Sequence, residues 1–219
     1  MIYNIKLNDK YYRDDVIEYI QSKKKEGTFR VIDIGGSASG WSAPYIDALI
    51  DFNELETLPN DITHYQCDIT HPDSWKKILD DVNNNGKFDF CICTHTLEDI
   101  MNPGFVCEQM SKIAHAGYIA VPSKHRELSR FEYSCYRGYI HHRWIFTIHD
   151  NKCIGFPKIN YIDSVNIFDV VANVSNGCSD LSFYWNDEMK IHYINNNYLG
   201  PSVGHVVDYY NQLCNPAFV

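Results

Sequence analysis

The chain has 219 residues, 45% of them hydrophobic, with a formal net charge of −9 and a pI near 5.5, which suits one soluble domain with a substantial core. An acidic chain lacks the basic face that a sequence-independent grip on DNA or RNA requires, so no nucleic-acid partner is expected. No apolar run approaches the ~20 residues of a bilayer span, and the opening Met1–Lys6 carries no signal-type apolar segment, so no membrane partner is expected either. The eight cysteines are scattered, with no Cys-x-x-Cys. They read as reduced thiols packing as small hydrophobes, and imply a cytoplasmic location.

In chain order, residues 11–25 place Val16, Ile17, Tyr19 and Ile20 at helical spacing and end in Lys23, Lys24 and Lys25 before Gly27. This is a helix whose cationic last turn complements its dipole. The first strand is 29–34, which carries Asp33 and breaks into Gly35-Gly36-Ser37-Ala38-Ser39-Gly40. Residues 41–46 leave little room for a helix before a second strand at 47–51, and a third strand around 63–67 ends at Asp68. Pro72 opens a helix to about residue 82, the Asn83–Gly86 turn leads to a strand at 88–93, and Asn102-Pro103 starts a helix over 103–114. A fifth strand at 117–121 closes on Pro122. Beyond it lie β-prone aromatic segments at 139–149 and 181–194, an Asn-rich tip at 195–197 and a helical tail at 203–214. This alternation predicts an α/β fold: a Rossmann-like, doubly wound, mainly parallel sheet with antiparallel strands added on the C-terminal side. A single domain over 1–219 is expected, with a cofactor-binding core at 28–122 and substrate-side strands and loops at 123–200.

The small-residue loop lets backbone approach a bound nucleoside where a Cβ would obstruct it. Asp51 follows Asp33 by 18 residues, close to the ~20-residue interval at which α/β domains place a carboxylate on a ribose hydroxyl. The loop is not Gly-x-Gly-x-x-Gly, so a pyrophosphate is poorly provided for, which weighs against a dehydrogenase. A nucleoside cofactor without phosphates fits better.

The segments Asp33-Ile34-Gly35-Gly36, Asp51, Cys67-Asp68-Ile69 and Phe88-Asp89-Phe90-Cys91-Ile92-Cys93-Thr94-His95-Thr96-Leu97-Glu98-Asp99-Ile100 resemble the class I S-adenosylmethionine-dependent methyltransferases, over roughly residues 28–122. The block from Asp89 to Pro103 is similar to the family's His-x-Leu-Glu-His signature after the fourth strand. Asp99 stands where the family usually has the second His, and the glycine loop is looser than the usual Gly-x-Gly-x-Gly. The resemblance implies S-adenosylmethionine as cofactor. Asp33 and the amides of Gly35 and Gly36 would line its methionine end, Asp51 its ribose and Asp68 with Ile69 its adenine, Ser37 and Thr94 completing the wall. The runs Val121–Leu128 and Gly138–Phe146 resemble a subgroup of glycan-building enzymes that includes the rhamnose-modifying methyltransferases of large algal viruses.

His95, immediately past the fourth parallel strand, is the candidate base, since an imidazole with pKa near ~6.5 suits removal of a hydroxyl proton at neutral pH. Glu98 and Asp99 admit two readings. By resemblance to quinone-precursor O-methyltransferases they would bind Mg²⁺ or Mn²⁺ beside His95. Otherwise Glu98 braces the glycine loop and Asp99 is solvated. His141, a further catalytic candidate, lies with His142 in a stretch holding five cations (Lys124, Arg126, Arg130, Arg137, Arg143) against Glu127 and Glu132. That stretch would receive an anionic donor group or glycan hydroxyls, and strand alternation would let one histidine of the pair face the site. Tyr133, Tyr136, Tyr139 and Trp144 would stack on sugar faces or pack in the core. The expected activity is O-methylation of a sugar or glycan hydroxyl. The rivals are a small phenolic or quinone-like acceptor and a catalytically silent, cofactor-binding partner subunit. Nothing in the sequence excludes a homo-oligomer.

Overall fold

A computed structural model of the chain describes residues 1–8, 13–54, 61–169, 178–194, 208 and 210–215. Its parallel strands follow the expected alternation: β2 (Val31–Ile34), β3 (Ala48–Asp51), β4 (Thr63–Gln66), β5 (Phe88–Thr94) and β6 (Ala114–Pro122). They are preceded by β1 (Ile2–Asn8) and α1 (Asp14–Glu26) and interleaved with α2 (Lys76–Asn85) and α3 (Pro103–Ile113). Beyond them lie α4 (Lys124–Leu128), β7 (Trp144–His149), β8 (Lys152–Pro157), β9 (Asp180–Asn186) and β10 (Ile191–Tyr193).

The large sheet has the order β1-β9-β6-β5-β2-β3-β4. It grows outward in both directions from β2, as a doubly wound sheet does. The parallel strands are buried on both faces, which accounts for their near-continuous apolar runs. Val31, Leu49, Phe90 and Ile92 face Val16 and Ile20 of α1. Ile32, Ile34, Ile50 and Cys91 face the opposite cluster, with Ile78 of α2 and Val106, Cys107 and Met110 of α3. The link from β2 to β3 holds a 3₁₀ turn over Ala43–Tyr45 in place of a helix, as its short length predicts.

The structure departs from expectation in a few places. The opening segment is a strand pairing antiparallel with β9; it buries only Ile2 fully among its seven residues, so it carries almost no period-2 signal. The Asn83–Asn85 run is the last turn of α2, closed by Gly86 N–H donating to Val82 O at 2.8 Å. The added strands serve two places. β9 joins the large sheet antiparallel to β6, while β7, β8 and β10 form a second sheet. That second sheet carries Phe146, Ile148 and Cys153 in the main core and Ile145, Ile154 and Phe156 in a third cluster with Tyr210 and Leu213. Of the expected tail helix, residues 208 and 210–213 are helical; 203–207 and 209, like 170–177 and the tip at 195–197, lie outside the described residues. Cys67, Cys91, Cys93, Cys107 and Cys153 are buried thiols. No helix among the described residues is long and apolar enough to cross a membrane.

Candidate functional site

The carboxyl ends of β2, β3, β4 and β5 share one edge, because these strands run parallel. The sheet order reverses between β2 and β5, the place where open α/β sheets bind ligands. Gly35 follows β2 at φ +73°, a left-handed conformation that suits glycine. A Cβ there would lie 2.5 Å from Thr96 Oγ1, and one at Gly36 would collide with the Asp33 carboxylate. The glycines therefore make room first for the chain's own Thr96 and Asp33. Asp33 is buried and accepts a hydrogen bond from Ser42 Oγ. Its other oxygen, Oδ1, is buried without a hydrogen-bond partner, and burial pushes its pKa up to about 6 against the Ser42 bond. Ser37 is exposed beside it, and its carbonyl accepts from Gly40 N–H at 2.9 Å.

Asp51 ends β3, and its Oδ1 accepts from Asn53 N–H at 2.7 Å. Asp68 follows β4 and accepts from the amide of Thr70 at 2.9 Å and its hydroxyl at 2.6 Å, bonds that hold its pKa below the usual carboxylate value. The residue flanking the next helical turn is His71, not Asp68. Ile69 packs against the main core, its carbonyl accepting from Trp75 Nε1 at 3.0 Å. Thr94 closes β5, its carbonyl accepting from Thr96 Oγ1 at 3.2 Å.

His95 turns the chain out of β5 at φ +51°. Its Nε2 lies 3.1 Å from Asp180 Oδ2 and its Nδ1 lies 3.4 Å from Glu98 Oε1. Burial alone would lower the ring's pKa, but the bonds and charges of Asp180 and Glu98 outweigh it and hold the ring up at about 10. The expectation of an imidazole poised near neutrality is therefore corrected: between two carboxylates the ring is an imidazolium at pH 7. Glu98 is 1% exposed, and burial raises its pKa against the opposing charge of His95.

Glu98 and Asp99 diverge. Glu98 turns toward His95, while Asp99 Oδ1 lies 3.6 Å from His142 Nε2 and 3.7 Å from His141 Nε2. Among the described residues, Asp99, His141 and His142 are the one group of three potential ligands with close-set donor atoms. The expected sharing of an ion by His95, Glu98 and Asp99 is thus not what the fold assembles. The expectation that one of the two histidines faces away also fails, because they sit in a turn, with His142 N–H donating to Tyr139 O at 3.2 Å, and strand alternation does not apply. The segment after the turn is laced to the loop after β5: Arg143 N–H donates to Glu98 O at 2.7 Å, Arg143 Nε to Asp99 O at 2.9 Å and Trp144 Nε1 to Ile100 O at 3.0 Å.

The basic stretch is largely turned inward. Arg137 is 1% exposed and donates to the carbonyls of Leu128, Ile162 and Val165 and to Asp169. Arg130 donates to Asp163 O and Asp169, and burial lowers Lys124 to about 8. Tyr139 packs on Phe131 and His142, and Trp144 on Tyr193. Of these four aromatic residues, Tyr133 and Tyr136 are the exposed ones, with ring centroids 6.2 Å apart. Residue spacing could not have pointed to Asp180 or Ser42, which carry no motif and reach the site through an antiparallel strand and a 3₁₀ turn.

The donor set fits a cationic nucleoside. An unpartnered buried carboxylate oxygen and two further acids lie along one sheet edge, and the β2–β3 link offers no α-helix N-terminus to a phosphate. No protein-family model matches the chain, and no curated protein does. Among solved structures, the N-terminal domain of EvdMO1 in the presence of SAH and D-fucose is similar at 10% identity, covering 81% of this chain and 84% of that one, with a TM-score of 0.41. The plantazolicin methyltransferase BpumL in complex with SAH is similar at 10% identity, covering 78% and 80%, with a TM-score of 0.40. An S-adenosylmethionine-dependent methyltransferase from Mesorhizobium loti is similar at 10% identity, covering 90% and 78%, with a TM-score of 0.37. Likeness this loose transfers neither site nor substrate.

Proposed function

We propose that the chain is an S-adenosylmethionine-dependent O-methyltransferase acting on a hydroxyl of a sugar or glycan. The observation that carries this reading is the row Asp33, Asp51 and Asp68 along the carboxyl ends of three adjacent parallel strands, beside a glycine loop that runs into no α-helix. When bound, S-adenosylmethionine supplies an electrophilic methyl group on a cationic sulfur. The chain's part is to hold and orient it. Asp33 and the Gly35–Gly36 amides take the cationic methionine end, Asp51 the ribose, and Asp68 with Ile69 the adenine, bordered by Ser37 and Thr94.

His95 takes the acceptor's proton in its neutral form. Asp180 orients the ring and stabilises the imidazolium that results, so activity rises with pH above neutrality. Glu98 supports His95 from the other side. His141 and the exposed rings of Tyr133 and Tyr136 stand on the acceptor side, where an amphipathic sugar face can stack.

Two measurements test the reading. Calorimetry with S-adenosylhomocysteine should give micromolar binding that Asp51→Ala abolishes; no heat with the intact protein sinks the proposal. Incubation with a labelled methyl donor and a panel of saccharides and catechols should place label on a sugar ring. Label on catechols alone would move the acceptor to the phenolic class, and binding without turnover would favour a silent subunit.

A further inference from the structure

We infer that Asp99, His141 and His142 form a binding site for a divalent transition-metal ion, of the Zn²⁺ class and not Mg²⁺. His142 is almost fully buried. Its Nδ1 lies 2.7 Å from Oε1 of Glu127, a carboxylate with no exposed surface. Lys158 Nζ donates to the other Glu127 oxygen at 2.6 Å, so the Glu127 charge is already balanced. The imidazole therefore donates its Nδ1–H to Glu127 and presents the Nε2 lone pair on its far side. A carboxylate behind one ring nitrogen, fixing the tautomer and the ring's aim, is the usual support of a metal-ligating histidine.

What Nε2 faces is another acceptor. Asp99 Oδ1 lies 3.6 Å away, and His141 Nε2 lies 3.7 Å from the same oxygen. That oxygen is buried and has no hydrogen-bond partner. All three donor atoms fall within 4.8 Å of one another. Ligands at ~2.0–2.1 Å from a tetrahedral ion stand about 3.3 Å apart, and the two Asp99–histidine distances of 3.6 and 3.7 Å are within a few tenths of an ångström of that spacing. Electron-rich atoms converging without a proton between them are stabilised by a cation.

The donor set selects the ion. Two imidazoles with one carboxylate suit zinc and its transition-metal neighbours, whereas Mg²⁺ prefers oxygen ligands and keeps its waters. The coordination is open, since the side chains of His141 and Asp99 are 60% and 41% exposed, leaving positions for water or an oxygen ligand. The geometry is set by three segments: the loop after β5, α4, which carries Glu127, and the turn before β7. Ion binding here does not require the methyl-transfer reading, although the two share His141.

The test uses the full chain, stripped with a chelator and titrated with Co²⁺ as a coloured probe. The expected result is one equivalent bound with visible ligand-field bands, displaced by equimolar Zn²⁺ and not by millimolar Mg²⁺. His141→Ala, an exposed position that leaves the fold intact by circular dichroism, should weaken binding at least tenfold. Glu127→Gln, which touches no ion, should weaken it about 10- to 100-fold. Absence of any binding tighter than about 100 μM, displacement by Mg²⁺, or unchanged affinity in the Asp99→Asn/His141→Ala double variant would overturn the inference.

Discussion

His95 Nε2 and Asp180 Oδ2 lie 3.1 Å apart across 85 residues of sequence, joining the first residue beyond β5 to the first residue of β9. The antiparallel register that pairs Pro122 with Asp180 brings that carboxylate to the edge where the parallel strands end. A half-buried charge is stabilised by such a partner, and the His95 ring has two, Asp180 and Glu98.

The pair makes stability depend on pH in a defined window. Asp180 and Glu98 raise the His95 pKa from its ordinary 6.5 to about 10, against the opposing effect of burial. Its stabilisation is therefore complete below about 6.5 and is lost as pH rises through about 10. In urea titrations, Asp180→Asn should be clearly less stable than the native chain at pH 6, and the gap should narrow steadily toward pH 10. A gap independent of pH would mean that the ring is neutral throughout.

Catalysis should run in the opposite direction. If neutral His95 accepts the proton, kcat/KM for methyl transfer rises about tenfold per pH unit from 7 to 9, as the minority neutral form becomes populated. His95→Gln should lose at least 100-fold at pH 9 while keeping S-adenosylhomocysteine affinity. A flat profile over that range would leave His95 as a positioning residue.

Asp33 combines full burial with one partnerless oxygen. Its folded pKa of about 6 exceeds the ordinary 3.8, so the native state binds the proton more tightly and loses stability as pH rises between those values. Asp33→Asn should be free of this loss. Relative to the native chain it should gain up to about 3 kcal/mol between pH 4 and pH 7, as measured by chemical denaturation. The same substitution should weaken cofactor binding at least tenfold if the carboxylate faces the cationic end of the cofactor, as proposed; unchanged affinity would remove Asp33 from that role.

Gly35 is constrained twice, by its φ of +73° and by Thr96. Gly35→Ala should cost about 1–3 kcal/mol of stability, and Thr96→Ala should recover part of it in the double variant. The conformational part of the cost should remain, so full recovery would show that contact with Thr96 was the whole effect.

The five parallel strands, the missing helix after β2 and the acids at the strand ends were legible in the residues. Each is a local matter: apolar runs long enough to be buried on both faces, glycines that interrupt them, and too few residues at 41–46 to form a helix. β1 was not legible, because its alternation is nearly absent and its place beside β9 depends on a partner about 180 residues away. The basic stretch misled for a related reason. Charge counts do not reveal that Arg137 is enclosed by three carbonyls and an aspartate.

By itself, then, the order of residues determined an α/β sheet with a glycine loop and carboxylates at its strand ends, since backbone conformation and burial follow from neighbours within a few positions. Tertiary structure alone decided which charges meet. It set Asp180 against His95, turned Glu98 away from Asp99, and carried both histidines of a turn to Asp99 with Glu127 behind one of them. Ionisation and coordination depend on distances of 3 to 4 Å between groups dozens of residues apart, and no local pattern encodes those.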